Sequence, residues 1–492
     1  MVCAHTTHAV PLMPARMWGS TILLYESMSY SPPPRTLVAG VRCFKRTAAC
    51  VGQRRLLVPE PGKGALAPMP LWSTPAEPVA ERAARAHTEL TGSAPTHTAS
   101  APATWSLIGE HIDHFGGIVA MCVGKLRAAA SVSPRTDGVV AVHFHPAQGE
   151  TAHDSISLQA LAELATAQQP TTDAEGQPVI PPAPQGGLAA RVGGIVHTMI
   201  NRQLLSRETA GADITIASDI PEGTGLGADA AADVAVALAL MGADADLDAP
   251  LRARVADVCT QAVSTFATRP PLRARHSAAL RSTGEGVCIM DYADGSVTHA
   301  PHVVGREMSA FAVAVPEDFS AQEEKAIADI RQRQRFIDDA CHSFGTDSLR
   351  LLPDAQQRVL DWLKAVHKVY GEEGRPSISA ATEWMAFYEE ETERVEKFAR
   401  CLRSHRGAEL FPILLQSQSS LANIYGLDSA EKLAELVTVR GAVAGRSAHA
   451  GTSNAVIAYV PAKSAHNFAA DLAEDGLLVV ELQPGEAARG EG

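Results

Sequence analysis

The segment "IPEGTGLGADAAADVAVALAL", residues 220–240, sets Gly223, Gly225 and Gly227 at alternate positions and then enters an alanine-rich stretch. Glycine reaches conformations closed to other residues, so this spacing predicts a tight loop feeding the first turn of a helix. Unpaired N–H groups and the helix dipole make such a junction a cradle for phosphate. The loop, however, carries its own anion, because Asp229 lies where a phosphate would approach. Two like unit charges 4 Å apart repel by ~4 kcal/mol at an effective dielectric near 20, so Asp229 opposes a nucleotide unless a cation intervenes.

Strand-like runs occur at 138–145, 212–220, 286–292, 310–316 and 454–461. Helical patterns alternate with them at 81–90, 228–241, 323–343, 381–403 and 430–437, which predicts a mixed α and β chain in two layers. Its 492 residues suffice for two or three structural units. The Pro- and Gly-rich segment 168–187 is expected to be a surface loop or insertion. Residues 1–70 show Pro clusters and no steady apolar period, as an added arm would. Residues 1–71 hold eight Lys or Arg against Glu26 and Glu60, so about +6 sits there and about −19 on the rest, for a net of −13. A transit-type leader and an upstream start included before Met69 both fit that arm.

The net charge argues against a general nucleic-acid binder or an anionic-membrane binder. No apolar run reaches the ~18 residues of a membrane helix. Eight scattered cysteines without a CxxC pair suit a reducing, cytoplasmic setting.

The second feature is "SLIGEHIDHFGG", residues 106–117, where an apolar start runs into Glu110, His111 and Asp113 before a Gly116-Gly117 turn. Carboxylates at a strand end suit sugar hydroxyls, which they accept in pairs. On spacing alone a capped turn with surface charge fits equally well.

Taken together, the two segments resemble motifs of the galactokinase branch of the GHMP small-molecule kinases. Their first motif has the form G-R-x-N-L-I-G-E-H-x-D-Y-x-G-G, and this chain reads "ATWSLIGEHIDHFGG" over 103–117. Their phosphate loop reads P-x-G-x-G-L-S-S-S-A-A, and this chain reads "PEGTGLGADAA" over 221–231. The likeness runs from Trp72 to Ala462. It takes in 259–292, where Cys259, Ala262, Phe266, Pro270 and Asp291 fall in register, and also 347–354 and 417–433. The resemblance implies an α+β, two-domain GHMP-kinase fold: a ribosomal-S5-like domain over 71–285, an α/β sandwich over 286–480, a tail over 481–492, and the site between the domains. It further implies ATP and Mg²⁺ as cofactors, transfer of the γ-phosphoryl to the C1 hydroxyl of galactose, a small sugar as partner, and a monomer.

Carried over residue by residue, the implied sugar contacts Glu110, His111 and Asp113 are kept, whereas a tyrosine contact is replaced by Ile330. The nucleotide loop comprises Gly223, Gly225, Leu226, Gly227, Ala228 and Asp229. Its metal-binding serine gives way to Ala228, and the second metal ligand, a glutamate, to Val263, so no metal ligand is assigned. The aspartate base is Arg275, and the arginine that balances it is Thr104. An arginine stays protonated and cannot be a base. His276 points elsewhere as the next residue, and Asp229 is a poor substitute for the metal ligands. The third glycine motif, M-T-G-G-G-F-G-G, becomes "SAHAGTSN" over 447–454, keeping Gly451 and adding His449 and Thr452. These changes predict an impaired or inactive relative. The alternatives are a divergent active sugar kinase and a non-catalytic sugar-binding regulator, with Arg275 either ion-paired to Glu110 and Asp113 or recruiting an anionic sugar.

Overall fold

The computed structural model describes residues 71–492 apart from 170, 173–177, 180, 243–246, 285, 317–319, 428 and 492. The arm expected over 1–70 and part of the 168–187 insertion lie outside the described residues. In chain order the first elements are α1 (Val79–Thr91), β1 (His97–Ile108), β2 (Ile118–Pro134), β3 (Val139–Pro146), β4 (Ala152–Ser157) and α2 (Leu158–Ala167). There follow the short β5 (Thr171–Thr172) and β6 (Pro178–Val179), then α3 (Leu188–Asn201), β7 (Ala212–Ser218), α4 (Ala228–Met241), α5 (Ala249–Phe266), α6 (Arg273–Arg281), β8 (Gly286–Asp291) and β9 (Val297–Pro301). The remainder is β10 (Met308–Ala314), α7 (Ser320–Phe344), α8 (Ala355–Tyr370), α9 (Ile378–Arg403), α10 (Gly407–Ser420), α11 (Glu431–Val439), β11 (Ala444–Ser447), β12 (Ala455–Pro461), α12 (Ala465–Glu474), β13 (Leu478–Leu482) and β14 (Arg489–Glu491). No described helix is long and apolar enough to cross a membrane.

Two sheets organise the described residues. The larger runs β14-β1-β2-β7-β3-β4, with β8 and β9 continuing from β2, and the smaller runs β11-β12-β10-β13. The boundary expected after residue 285 falls inside the larger sheet, because β8 pairs with β2 from Met121↔Cys288 to Ile118↔Asp291 and β9 pairs with β8. The segment 481–492 is likewise no loose tail: Leu482 belongs to β13, and β14 pairs with β1 from Ser100↔Arg489 to Thr98↔Glu491. A strand edge leaves N–H and C=O groups unsatisfied, and β14 covers that edge.

Period-two alternation divides the smaller sheet between two cores. Phe311, Val313, Val456 and Val460 pack beneath α11 and α12, while Ala310, Ala312, Ile457 and Tyr459 join the main core with Trp105. Helix α4 is apolar almost all round, with Ala230, Ala231 and Val234–Ala239 buried. Such a helix has no solvent face, and its small side chains let it lie against β1 and β2. Gly242 closes it in the left-handed conformation, φ 68°.

A register shift in the β1–β2 ladder between Pro102 and Thr104 positions the site. Proline has no N–H for the ladder, so irregularity there is expected. The Thr104 N–H instead donates to the Leu226 carbonyl of the glycine loop at 2.9 Å. One irregularity therefore ties the first motif to the phosphate loop.

Candidate functional site

The glycine loop, the start of α6 and the β11–β12 connection enclose a cleft of about 260 Å³. Gly223, Gly225 and Gly227 all take positive φ, 72°, 68° and 69°. A Cβ at Gly225 would sit 2.7 Å from the Ala448 Cβ, and one at Gly227 would sit 2.6 Å from Thr104 Oγ1. Those two glycines are needed by the protein's own packing, whereas a Cβ at Gly223 would meet open space. Gly227 is the N-cap of α4 and offers no side-chain cap, so the first-turn N–H groups stand at the cleft.

Arg275 and Thr104, 171 positions apart, touch. Nη1 of Arg275 donates to the Thr104 carbonyl at 2.7 Å and to Oγ1 at 3.2 Å, and Nη2 donates to the Ala448 carbonyl at 3.0 Å. Two residues far apart in sequence thus share one wall of the cleft region. Arg275 forms no ion pair with Glu110 or Asp113, which corrects one of the expected alternatives: Glu110 is held by Arg446 at 3.3 Å and by the Ala450 N–H at 3.1 Å. Burial pushes the Arg275 guanidinium down to about 10, against the pull of Glu110, so it stays charged at neutral pH.

Asp229 has the cation that the sequence could not supply. Its carboxylate pairs with Arg191 at 2.7 Å and with Arg269 at 3.5 Å. Arg191, from α3, also binds Asp233 side-on through Nε (2.9 Å) and Nη2 (2.6 Å). Burial would raise the Asp233 carboxyl, but Arg191 and His276 outweigh it and hold it below the ordinary range. His276 is committed on both sides, with Nε2 3.1 Å from Asp233 and Nδ1 3.0 Å from Thr260 Oγ1. It is therefore anchored to the α4–α5 network.

The sugar-motif residues lie deeper. Glu110, His111 and Asp113 are all buried, and none lines the cleft. His111 adopts φ 66°, its Nε2 lies 3.1 Å from the Ala450 carbonyl, and its ring packs beside His449 and Tyr425. Asp113 Oδ2 accepts the Arg273 N–H at 3.0 Å, while Oδ1 is buried without a partner. Behind Glu110, Glu391 of α9 accepts the Gly109 N–H at 3.2 Å and lies 3.7 Å from Arg446. His449 does enter the cleft, as its place in the third motif implies; burial, then Arg275 and His111, push its ring well below the ordinary histidine value. Ile330 is buried with its Cδ1 against Gly451.

Sequence reasoning missed Arg191, Arg269, Arg446 and Glu391. Arg191 in "LAARVGGIV" and Arg446 in "AVAGRSA" are lone charges within apolar stretches. A lone charge in a core-facing stretch signals a buried partner.

Magnesium does not fit the residues present. The side chains of Ala228 and Val263 offer no oxygen, Asp229 is engaged by two arginines, and among the described residues no group of three or more His, Cys, Asp or Glu could hold a metal ion. The loop retains the shape that cradles phosphate, without oxygen-bearing side chains at positions 228 and 263.

Two sheets with a glycine-loop cleft between them define the GHMP kinase class. Residues 192–267 match the GHMP kinases N-terminal domain, and residues 85–134 match the galactokinase galactose-binding signature. The galactokinase of Streptomyces coelicolor is 25% identical over 378 residues, 76% of this chain and 87% of that protein. The crystal structure of Lactococcus lactis galactokinase complexed with galactose shares the fold, with a TM-score of 0.60 at 15% identity over 84% of this chain and 99% of that one. The chain is therefore similar to galactokinases in sequence and shares their fold.

Proposed function

We propose that this galactokinase-like chain has lost efficient ATP-dependent phosphorylation of galactose and retains its fold as a ligand-binding protein. The observation that carries the reading is the Arg275 guanidinium against Thr104, where the resemblance calls for a carboxylate. Transfer to a sugar hydroxyl needs a group to accept its proton, and losing a positioned base costs ~10²–10⁴ in rate. Neutralisation of the phosphates by metal is a second requirement of phosphoryl transfer. Asp229 is spent on Arg191 and Arg269, and the positions that the resemblance gives to metal ligands carry the side chains of Ala228 and Val263.

Galactose-dependent ADP release from ATP·Mg²⁺ by the full chain tests this. No turnover above the protein-free control is expected, and turnover at rates typical of kinases, 1–100 s⁻¹, would overturn the reading. Arg275→Asp alone should not restore activity, because the metal ligands are still missing. Isothermal titration separates the remaining roles: galactose binding without ATP binding supports a sugar sensor, and binding of neither supports a scaffold.

A further inference from the structure

Among the described residues three arginines are buried, and the protein treats them differently. Arg446, 1% exposed, lies between the carboxylates of Glu110 and Glu391. Arg333, 6% exposed, has its guanidinium over the rings of Trp384 and Tyr425 at 4.7 and 4.8 Å. Arg275, 3% exposed, has neither: its partners are the Thr104 hydroxyl and two backbone carbonyls, and its Nε is buried without a partner. Carbonyl dipoles satisfy donors but do not neutralise a charge, and an uncompensated buried charge is costly.

That charge stands on the wall of the cleft, beside the uncapped N-terminus of α4. A Cβ at Gly227, the N-cap, would lie 3.0 Å from Arg275 Nη1. Arg191 and Arg269 line the same cleft, as does Glu222; the two arginines share Asp229, while Arg191 also holds Asp233 and Arg269 also holds Glu323. Asp229 is 53% exposed, so it is a carboxylate that a ligand can displace from two guanidinium groups without unpacking the core. His449, held neutral by burial and by Arg275, adds a polar wall without adding charge.

We infer that this cleft binds a small oxyanion, a carboxylate or phosphate monoester, without a divalent cation, and that Arg275 supplies the charge that metal would supply. The inference rests on the reading that metal-dependent transfer is lost here, and it names the ligand class for the same site. Arginine suits the role because its planar donors match carboxylate and phosphate oxygens. Asp229 occupies the cleft as an internal competitor for Arg191 and Arg269.

The test is titration calorimetry of the full chain in EDTA with galacturonate, with galactose 6-phosphate and with neutral galactose. At least one anion is expected to bind, at least tenfold more tightly than galactose and with unchanged affinity when Mg²⁺ replaces EDTA. Which anion binds tells carboxylate from phosphate. Arg275→Met is expected to weaken that anion at least tenfold, a change of 1.4 kcal/mol. Arg275 also braces Thr104 and Ala448, so two surface variants give an independent reading should Arg275→Met not fold. Asp229→Asn should tighten binding severalfold by removing a competing carboxylate from the cleft, and Arg269→Gln should weaken it.

Absence of anion binding in EDTA, a requirement for Mg²⁺, or affinities unmoved in Asp229→Asn and Arg269→Gln would overturn the inference. Kinase turnover with metal-free anion binding would sink only the lost-catalysis reading. No turnover and no anion binding would sink only this one.

Discussion

The two motif regions of this protein show opposite fates. The sugar motif keeps its letters, yet Glu110, His111 and Asp113 are buried and bonded to Arg446, Ala450 and Arg273, away from the cleft. The phosphate loop has lost its hydroxyls, yet it stays open and is lined by arginines. Retained side chains can serve the interior, and altered ones can leave a cleft accessible. Identity of residues and accessibility of a site are thus separate properties.

The largest effect that would break this comparison is at Glu110. Glu110→Ala leaves Arg446 beside Glu391 alone, and losing one member of a buried pair costs ~3–5 kcal/mol. Denaturant unfolding should show it, and a loss below ~1 kcal/mol would mean that Glu110 faces solvent or a ligand instead. Next come the glycines. Gly227→Ala combines a left-handed backbone with a 2.6 Å clash and should cost ~2–3 kcal/mol, whereas Gly223→Ala, with open space around it, should cost ~1–2. Equal losses at both positions would remove the distinction between a packed loop and an open one.

Acid sensitivity follows from His449 and His111, both held below the ordinary histidine value mainly by burial. The unfolded chain protonates these rings near pH 6.5 and the folded chain does so only at lower pH, so their contribution is complete above pH 6.5 and fades as pH falls. Each is expected to lose up to ~1.4 kcal/mol per pH unit below 6.5. Thermal melts from pH 7.5 to 5 should fall accordingly, and His449→Gln should flatten the profile. The smallest effect is Asp229→Asn, whose half-exposed pairing should be worth under ~1 kcal/mol of stability, in contrast to its predicted effect on ligand binding.

Much of the fold was legible where local chemistry is strong. Helix α4 spans Ala228–Met241, the limits that the glycine cap and alanine run imply. Strands β3, β7, β8, β10 and β12 lie where β-branched alternation places them. The strand carrying the first motif was harder to delimit, because "HTASAPATWSLI" is buried continuously from Ala99 to Ile108 and has no alternating polarity. A central strand covered on both faces gives no period-two signal, and small residues suffice where a helix packs closely. The place of β8 in the larger sheet was not legible for a related reason: its partner β2 lies more than 150 residues away in sequence, and only β9 is a local one.

By itself the sequence determined the loop, its helix, the family likeness and the identity of the residue at each chemical position. Only the tertiary structure decided what those residues face. Arg275 meets Thr104 because of a register shift in β1, and Asp229 is neutralised because α3 delivers Arg191. Charges interact through space over a few ångströms while their spacing along the chain is tens to hundreds of residues, so partnership and burial emerge only when the chain is packed.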